Sequence, residues 1–176
     1  SMLTDYMDQA NYAGNNFAVT SGDIGEALQR SASQLKANGN SMSEAIGMIV
    51  GAQETVQDAS KLGNALKTIA VNINGVTYNA KEGEVMLNKT AKALWNVAGI
   101  ETADLAKGTT RPLFDVLNEL HDKWDSLNDV EQKTVTEAIG NKYHANVLQA
   151  MLDNWGTVLQ YVQVNFINAS YVQKCA

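Results

Sequence analysis

Residues 41–56 read SMSEAIGMIVGAQETV, and this stretch decides the fold. Ser41, followed three residues later by Glu44, forms a capping box, in which two side chains satisfy free backbone N–H groups at a helix start. The apolar residues that follow recur at helical spacing; they are Met42, Ile46, Ile49, Val50 and Val56. The run is far shorter than the roughly 20 apolar residues that cross a bilayer. The Gly47 and Gly51 pair therefore indicates two soluble helices in close approach rather than a membrane dimer.

The segments on either side repeat this pattern. Upstream, Thr20-Ser21-Gly22-Asp23 is a capped start, and its helix ends at the turn cluster Asn38-Gly39-Asn40. Downstream, a new start near Asp58 precedes a third helix. The two apolar stripes are Ile24, Ala27, Leu28 and Leu35 upstream and Leu62, Ala65, Leu66, Ile69 and Ile73 downstream. Three helices joined by short turns are predicted to pack as antiparallel neighbours.

Residues 71–78 allow two interpretations. The sequence VNINGVTY alternates apolar and polar residues around Asn74-Gly75, which is typical of a small hairpin. The same residues could be a helix end closed by Gly75. We favour the helix end because the preceding stripe runs unbroken to Ile73. A helix is then predicted to carry Leu87, Ala91, Leu94 and Ala98, with a stop at Gly99 and a loop over 100–110.

The C-terminal part carries the most regular helical pattern. A helix is predicted from Thr110-Arg111-Pro112, with proline in its first turn, and its buried face comprises Leu113, Val116, Leu117, Leu120, Trp124 and Leu127. Asn128-Asp129 forms the next turn, where Asp129 and Gln132 resemble a cap, and a shorter helix ends at Gly140-Asn141. The last helix carries Val147, Leu148, Met151, Leu152, Trp155, Leu159 and Val162.

These patterns predict an all-α fold, a compact multi-helix bundle of antiparallel helices joined by short Gly/Asn turns. Residues 3–165 are expected to form a single helical module, and residues 166–176 a frayed C-terminal extension. Ser1 before Met2 indicates an excerpt of a longer chain. No signal-peptide pattern begins the sequence, and no apolar run is long enough for a membrane span.

The charge and the cysteine count restrict the possible partners. The formal net charge of -6 argues against direct binding of nucleic acid, which needs a basic surface. A hydrophobic fraction of 45% is enough for a core. Cys175 is the single cysteine of the sequence and cannot form an internal disulfide.

The residues that could carry chemistry do not form a recognisable site. His121 and His144 lack partners at metal-ligand spacing, and Cys175 at a frayed end is a poor nucleophile. Asp115, Glu119 and Asp122 form an acidic helix face, which is more often a solvated surface than a pair of catalytic carboxylates across a cleft. Trp95, Trp124 and Trp155 could line a pocket, but the latter two continue leucine stripes and are expected in the core. We therefore predict no catalytic, cofactor-binding or metal-binding residues.

Several blocks of the sequence resemble the core region of tail tape measure proteins from siphophages and prophages of Gram-positive bacteria. The first block covers residues 14–47 and continues through 54–58 and 63–69, and the second covers 111–117 and 123–127. Residues 140–148 resemble the family's glycine-lysine segment, although Asn141 stands between Gly140 and Lys142 here. Residues 72–86 and those after about Trp155 match poorly.

This resemblance implies a structural virion protein, not an enzyme. Family members occupy the lumen of the tail tube, set its length during assembly in the host cytoplasm, and leave it during DNA ejection. Their partners are tail tube, tail chaperone and tail-tip proteins, and several copies run together, so self-association is expected. The caps and glycine stops recur at short intervals, which favours a folded module over a length of measuring rod. The alternatives are a non-enzymatic helical adaptor outside any phage and part of a wall-degrading tape measure region.

Overall fold

The computed structural model describes the backbone of residues 1–175 and the side chains of residues 1–165. Its helices α2 and α3 begin at the capping residues that the sequence predicts. The helices are α1 Met2–Asn16, α2 Ser21–Ala37, α3 Met42–Val56, α4 Ala59–Ile73, α5 Lys89–Ala93, α6 Leu113–Lys123, α7 Asp129–Asp153 and α8 Trp155–Cys175. A π-helical turn, Leu94–Ala98, continues α5, and a 3₁₀ turn, Trp124–Ser126, continues α6. Two small antiparallel hairpins, β1 Val76–Asn79 with β2 Glu84–Leu87 and β3 Ala103–Asp104 with β4 Thr109–Thr110, complete the described fold. The prediction of a compact all-α bundle is confirmed.

The N-terminal capping boxes form as expected. The Thr20 hydroxyl accepts from the Asp23 N–H at 3.1 Å, and the Ser41 hydroxyl accepts from the Glu44 N–H at 3.1 Å. A third box opens α7, but it uses Asn128 and Glu131, so the predicted pair Asp129 and Gln132 was wrong by one residue. The Gln132 amide instead donates to the carbonyls of residues 124 and 127 and closes the end of the preceding turn.

Helix α3 lies at the centre of the molecule. Every residue from Ala45 to Gln53 is buried, and α1, α2, α4, α6, α7 and α8 all contact this helix. The close approach predicted from the glycine pair is confirmed: α8 passes directly over it. A methyl group on Gly51 would overlap Val158, and one on Gly47 would lie 2.9 Å from Val162. Helix α2 packs more extensively on α4 than on α3, its neighbour in sequence.

The middle of the chain combines a helix end with part of a hairpin, the two interpretations that residues 71–78 allowed. Helix α4 does end at Ile73, with Asn74 as its cap residue, as the favoured interpretation required. A hairpin exists as well, but its strands cover 76–79 and 84–87, and its turn ends at Gly83, where φ is +67°. The Asn74-Gly75 pair lies before β1 and is not the hairpin turn, which falls between residues 79 and 84. The Asn88 side chain fills the space where a Gly75 side chain would stand.

Three other boundaries need correction. Leu87 ends β2 and is not helical, because Asn88 caps α5 one residue later. Pro112 is the N-cap residue of α6 and not part of its first turn. The last predicted helix is interrupted at Asn154, whose amide donates to the Gly51 carbonyl at 2.9 Å. The predicted frayed extension over 166–176 lies outside the residues whose side chains are described, and it stays a prediction.

Two side chains in the turn between α2 and α3 cap the N-terminus of α6. The Asn38 side-chain oxygen Oδ1 accepts from the Leu113 N–H at 2.6 Å, and the Asn40 side-chain oxygen Oδ1 accepts from the Phe114 N–H at 3.0 Å. Asn38 also donates to the Arg111 carbonyl at 3.1 Å. Pro112 has no side-chain acceptor to cap the helix, so residues far away in sequence supply the cap.

A kink divides α7 at Asn141, next to the helix end predicted at Gly140-Asn141. Asn141 has φ +54° and ψ −179°, a region that is essentially restricted to glycine. The residue is exposed, so its side chain contributes little packing that would offset the strained backbone.

Replacing Asn141 with glycine is expected to stabilise the protein. We expect a gain of about 1 kcal/mol in the free energy of unfolding, because glycine adopts this conformation without steric strain. Chemical denaturation measures the change. Asn146→Gly, at an exposed and regular position of the same helix, is the control and should lose about 0.3 kcal/mol, the difference in helix propensity between the two residues. Equal effects at both positions would contradict the strain argument.

Candidate interaction surface

The carboxylates of the acidic helix face do not come together across a cleft. The Glu119 carboxylate accepts from Arg111 Nη1 at 2.7 Å and pairs with Lys123 Nζ at 3.3 Å. Asp115 is exposed, and the Asp122 side chain is 74% exposed. Glu119 is thus held by two cations, while its two neighbours face solvent. This arrangement gives no support to a wall-degrading carboxylate pair.

Arg111 and Lys123, the two partners of Glu119, also form hydrogen bonds to the segment 98–102 and so link it to α6. The Arg111 guanidinium also donates to the Glu101 carbonyl at 2.7 Å, and the Lys123 ammonium donates to the Ala98 carbonyl at 3.2 Å. Burial by itself would raise the pKa of Glu119, but the hydrogen bonds and charges of the two cations outweigh it. The pKa of this carboxyl therefore lies below its ordinary value.

Glu119→Gln is expected to lower the free energy of unfolding at neutral pH by about 0.5–1 kcal/mol, since about a third of the side chain is exposed and solvent screens the pairs. A lowered carboxyl pKa contributes stability above the ordinary pKa, and this contribution is lost as the pH falls through the folded value. The difference between wild type and variant should therefore be constant near pH 7 and shrink below about pH 4.

Denaturation curves recorded across this pH range provide the test. Glu26→Gln removes the exposed pair with Arg30, whose atoms are 4.0 Å apart, and should change stability by only a few tenths of a kcal/mol. A Glu119→Gln effect that does not depend on pH would exclude the ion pairs as its cause.

The three tryptophans lie in three different environments. Trp155 is fully buried, its indole N–H donates to the Asn118 side chain at 2.9 Å, and its ring lies 5.3 Å from that of Phe114. Trp124 is half-buried and packs against the core. The core position expected for Trp155 is confirmed, while Trp124 lies at the edge of the core. Trp95, in contrast, is 53% exposed.

Close to Trp95, the β1–β2 hairpin presents an apolar face. Directly opposed residues of antiparallel strands share a face, and the pairs Val76–Leu87 and Tyr78–Val85 form one face of the hairpin. The opposite face carries Thr77, Met86, Asn79 and Glu84. Tyr78 is 68% exposed, so nothing in the described structure covers the apolar face completely.

This face forms one wall of a groove, which we call the hairpin groove. Its other walls come from the π-helical turn and from the β3–β4 hairpin, and its apolar side chains are Val76, Tyr78, Val85, Leu87, Ala91, Trp95, Ile100, Ala103 and Leu105. Leu105 is 61% exposed. Exposed apolar residues that gather in this way are typical of interaction sites, whereas single ones are normal on any surface.

The π-helical turn directs Trp95 towards the groove. Leu94 is fully buried in the core, and its carbonyl accepts from the Ile100 N–H at 3.1 Å. Gly99 ends the turn with φ +65°. A π-helical turn rotates the following residues relative to a regular helix and is frequent at functional sites. Here, Leu94 faces the core while its neighbour Trp95 faces outward.

Comparison with known protein families identifies the chain. Residues 1–140 match the model of the phage-related minor tail protein family. The chain belongs to this family. Membership supports a structural role in a phage tail, in association with other tail proteins. No solved structure is significantly similar to the chain.

The family match covers both hairpins and ends at Gly140, immediately before the kinked residue of α7. The hairpin groove thus lies within the residues that match the family model. Among the described residues, no helix is long and apolar enough to span a membrane, and no cluster of three or more metal-ligating side chains occurs.

The sequence patterns did not predict the hairpin groove. Trp95 was considered only as one of three scattered tryptophans, and Leu87 was assigned to a helix. A signal was nevertheless present: residues 76–78 and 85–87 each place apolar residues two apart, on either side of the turn at Gly83. Two such short runs separated by a glycine turn are typical of a hairpin with one apolar face.

Proposed function

We propose that this chain is a folded module of a tail tape measure protein, the component that sets tail length and occupies the lumen of the tail tube. The proposal combines family membership with the sequence blocks that resemble tape measure proteins. One observation carries it. Asn38, in the first block, caps α6, which the second block forms, through a 2.6 Å hydrogen bond to the Leu113 N–H. The two blocks therefore form one structural unit.

Within the proposal, residues 3–165 act as a single globular module of a longer chain. Their core is one continuous cluster drawn from all the α-helices except α5 and from the π-helical turn. A fully helical rod of this length would extend about 245 Å at 1.5 Å per residue, whereas a compact domain of the same length has a radius of gyration of about 15 Å. The module contributes to tail assembly, DNA ejection or tip attachment, and not to measured length. Its proposed partners are tail tube, tail chaperone and tail-tip proteins, besides further copies of the parent chain.

Deletion of residues 3–165 from the parent gene tests this function. We expect fewer assembled tails, and the tails that form should shorten by far less than about 245 Å, as measured by electron microscopy. A deletion of equal length in a helical rod segment of the parent chain is the matched control and should shorten tails by about 1.5 Å per residue. Normal numbers of tails of normal length after the first deletion would refute a role of this module in the tape measure.

A further inference from the structure

We propose that the hairpin groove is a docking site for a segment of a partner protein that presents an apolar face followed by a basic side chain. The inference extends the proposed function by giving the chemistry of a partner, but it rests on the groove alone. It would hold for any tail protein with this surface.

The apolar part of the recognition comes from the groove walls. Tyr78, Trp95 and Leu105 are each more than half exposed. Trp95 and Leu105 line the part of the groove that contains Ala103 and fully buried Ile100, and Tyr78 lines the adjoining part together with Ala103 and Leu105. Aromatic side chains beside an apolar floor are the residues that most often dominate binding energy in protein interfaces. A helix or strand with one apolar face could cover them and complete the layer that the exposed β1–β2 face lacks.

The charges at one end of the groove determine the polar part. Glu101 lines the groove and also lines an adjoining polar cleft that contains Asp115. The neighbouring Asp104 is paired with Lys107 at 3.6 Å, and Glu119 is paired with Arg111 and Lys123. Glu101 and Asp115 form no ion pair with any described side chain. The carboxylates at this end therefore outnumber the cations by one; the carboxylates are Glu101, Asp104, Asp115 and Glu119, and the cations are Lys107, Arg111 and Lys123.

These carboxylates lie on a molecule whose net charge is -6, which adds a general attraction for basic partners. The exposed lysines of the same segment, Lys89 and Lys92, are not among the side chains that line the groove. An acidic partner would therefore meet like charges at the end of the groove, while a lysine or arginine could pair with them. Charge complementarity thus selects the apolar-basic segment over a second copy of this acidic chain.

The experiment titrates the intact chain with a synthetic amphipathic helical peptide, with leucine on one face and lysine at the other positions, and with a matched peptide that has glutamate instead of lysine. Labelled-peptide anisotropy gives the affinities. The indole N–H resonances in a ¹H–¹⁵N spectrum report the site, with that of Trp95 assigned from a Trp95→Phe variant. We expect the lysine peptide to bind at least about tenfold more tightly and to shift the Trp95 resonance but not that of buried Trp155.

Variants separate the two parts of the site. Leu105→Ser is expected to weaken binding of the lysine peptide about tenfold, while Val130→Ser, at an equally exposed position outside the groove, should not. Glu101→Gln combined with Asp115→Asn should weaken binding and reduce its salt dependence, while Asp122→Asn should not. Equal binding of both peptides, equal loss in the control variants, or self-association through Trp95 without peptide binding would each overturn the proposal.

Discussion

Asn38→Ala is expected to destabilise the protein by about 3 kcal/mol, although it removes only a few atoms. Asn38 is 1% exposed, and its side chain makes four hydrogen bonds; its partners are the Leu113 N–H, the Asn40 side-chain amide, the Asn74 side chain and the Arg111 carbonyl. A lost helix cap costs about 1 kcal/mol, and each buried group left without a partner costs about 1–3 kcal/mol. The change should also loosen α6, whose N-terminus has no other side-chain cap besides Asn40.

Urea denaturation measures this effect, and hydrogen exchange at the Leu113 amide localises it. Asn146→Ala, at an exposed position in α7, is the matched control and should change the free energy of unfolding by less than about 0.5 kcal/mol. Asn38→Asp retains the acceptor but has no amide to donate to Asn74 and Arg111, and it places a charge at a buried position. It should therefore also destabilise. A loss below about 0.5 kcal/mol for Asn38→Ala would show that water replaces its hydrogen bonds.

The features that could be predicted from the sequence are those whose cause is local. The starts of α2 and α3 follow from capping boxes that span four residues each. The break after Gly140 likewise follows from a pair of neighbouring residues. In these places the residues that fix the backbone are within one helical turn of the feature itself, so their spacing in the sequence is sufficient.

The features that were missed depend on contacts between distant parts of the chain. The interruption at Asn154 is stabilised by a hydrogen bond to the Gly51 carbonyl, 103 residues away in sequence. The cap of α6 comes from Asn38, 75 residues before Leu113. No local pattern at Asn154 or Pro112 contains these partners. For the same reason the hairpin groove could not be assembled from the sequence, since its walls come from three segments that only the fold brings together.

The space available at Gly63 is also limited by a distant part of the chain, the backbone of α2 at Ala27. Gly63→Ala is therefore expected to destabilise the protein by about 2–3 kcal/mol. A methyl group at this position would lie 2.8 Å from the Ala27 carbonyl oxygen and 3.0 Å from its Cα. Both are backbone atoms of α2, so no side-chain rotation relieves the overlap. Helices α2 and α4 would have to move apart, which would weaken the packing of fully buried Leu66 and Ile69.

The matched control is Gly156→Ala, because a methyl group there meets no atom within 4 Å and the residue is exposed in helix α8. Alanine is the better helix former, so this substitution should be neutral or stabilise by up to about 1 kcal/mol. Denaturation of both variants therefore gives effects of opposite sign for the same chemical change. If Gly63→Ala also proved neutral, α2 and α4 would be able to accommodate a methyl group despite the short distances to Ala27. The close packing of the two helices would then not explain why a residue without a side chain stands at this position.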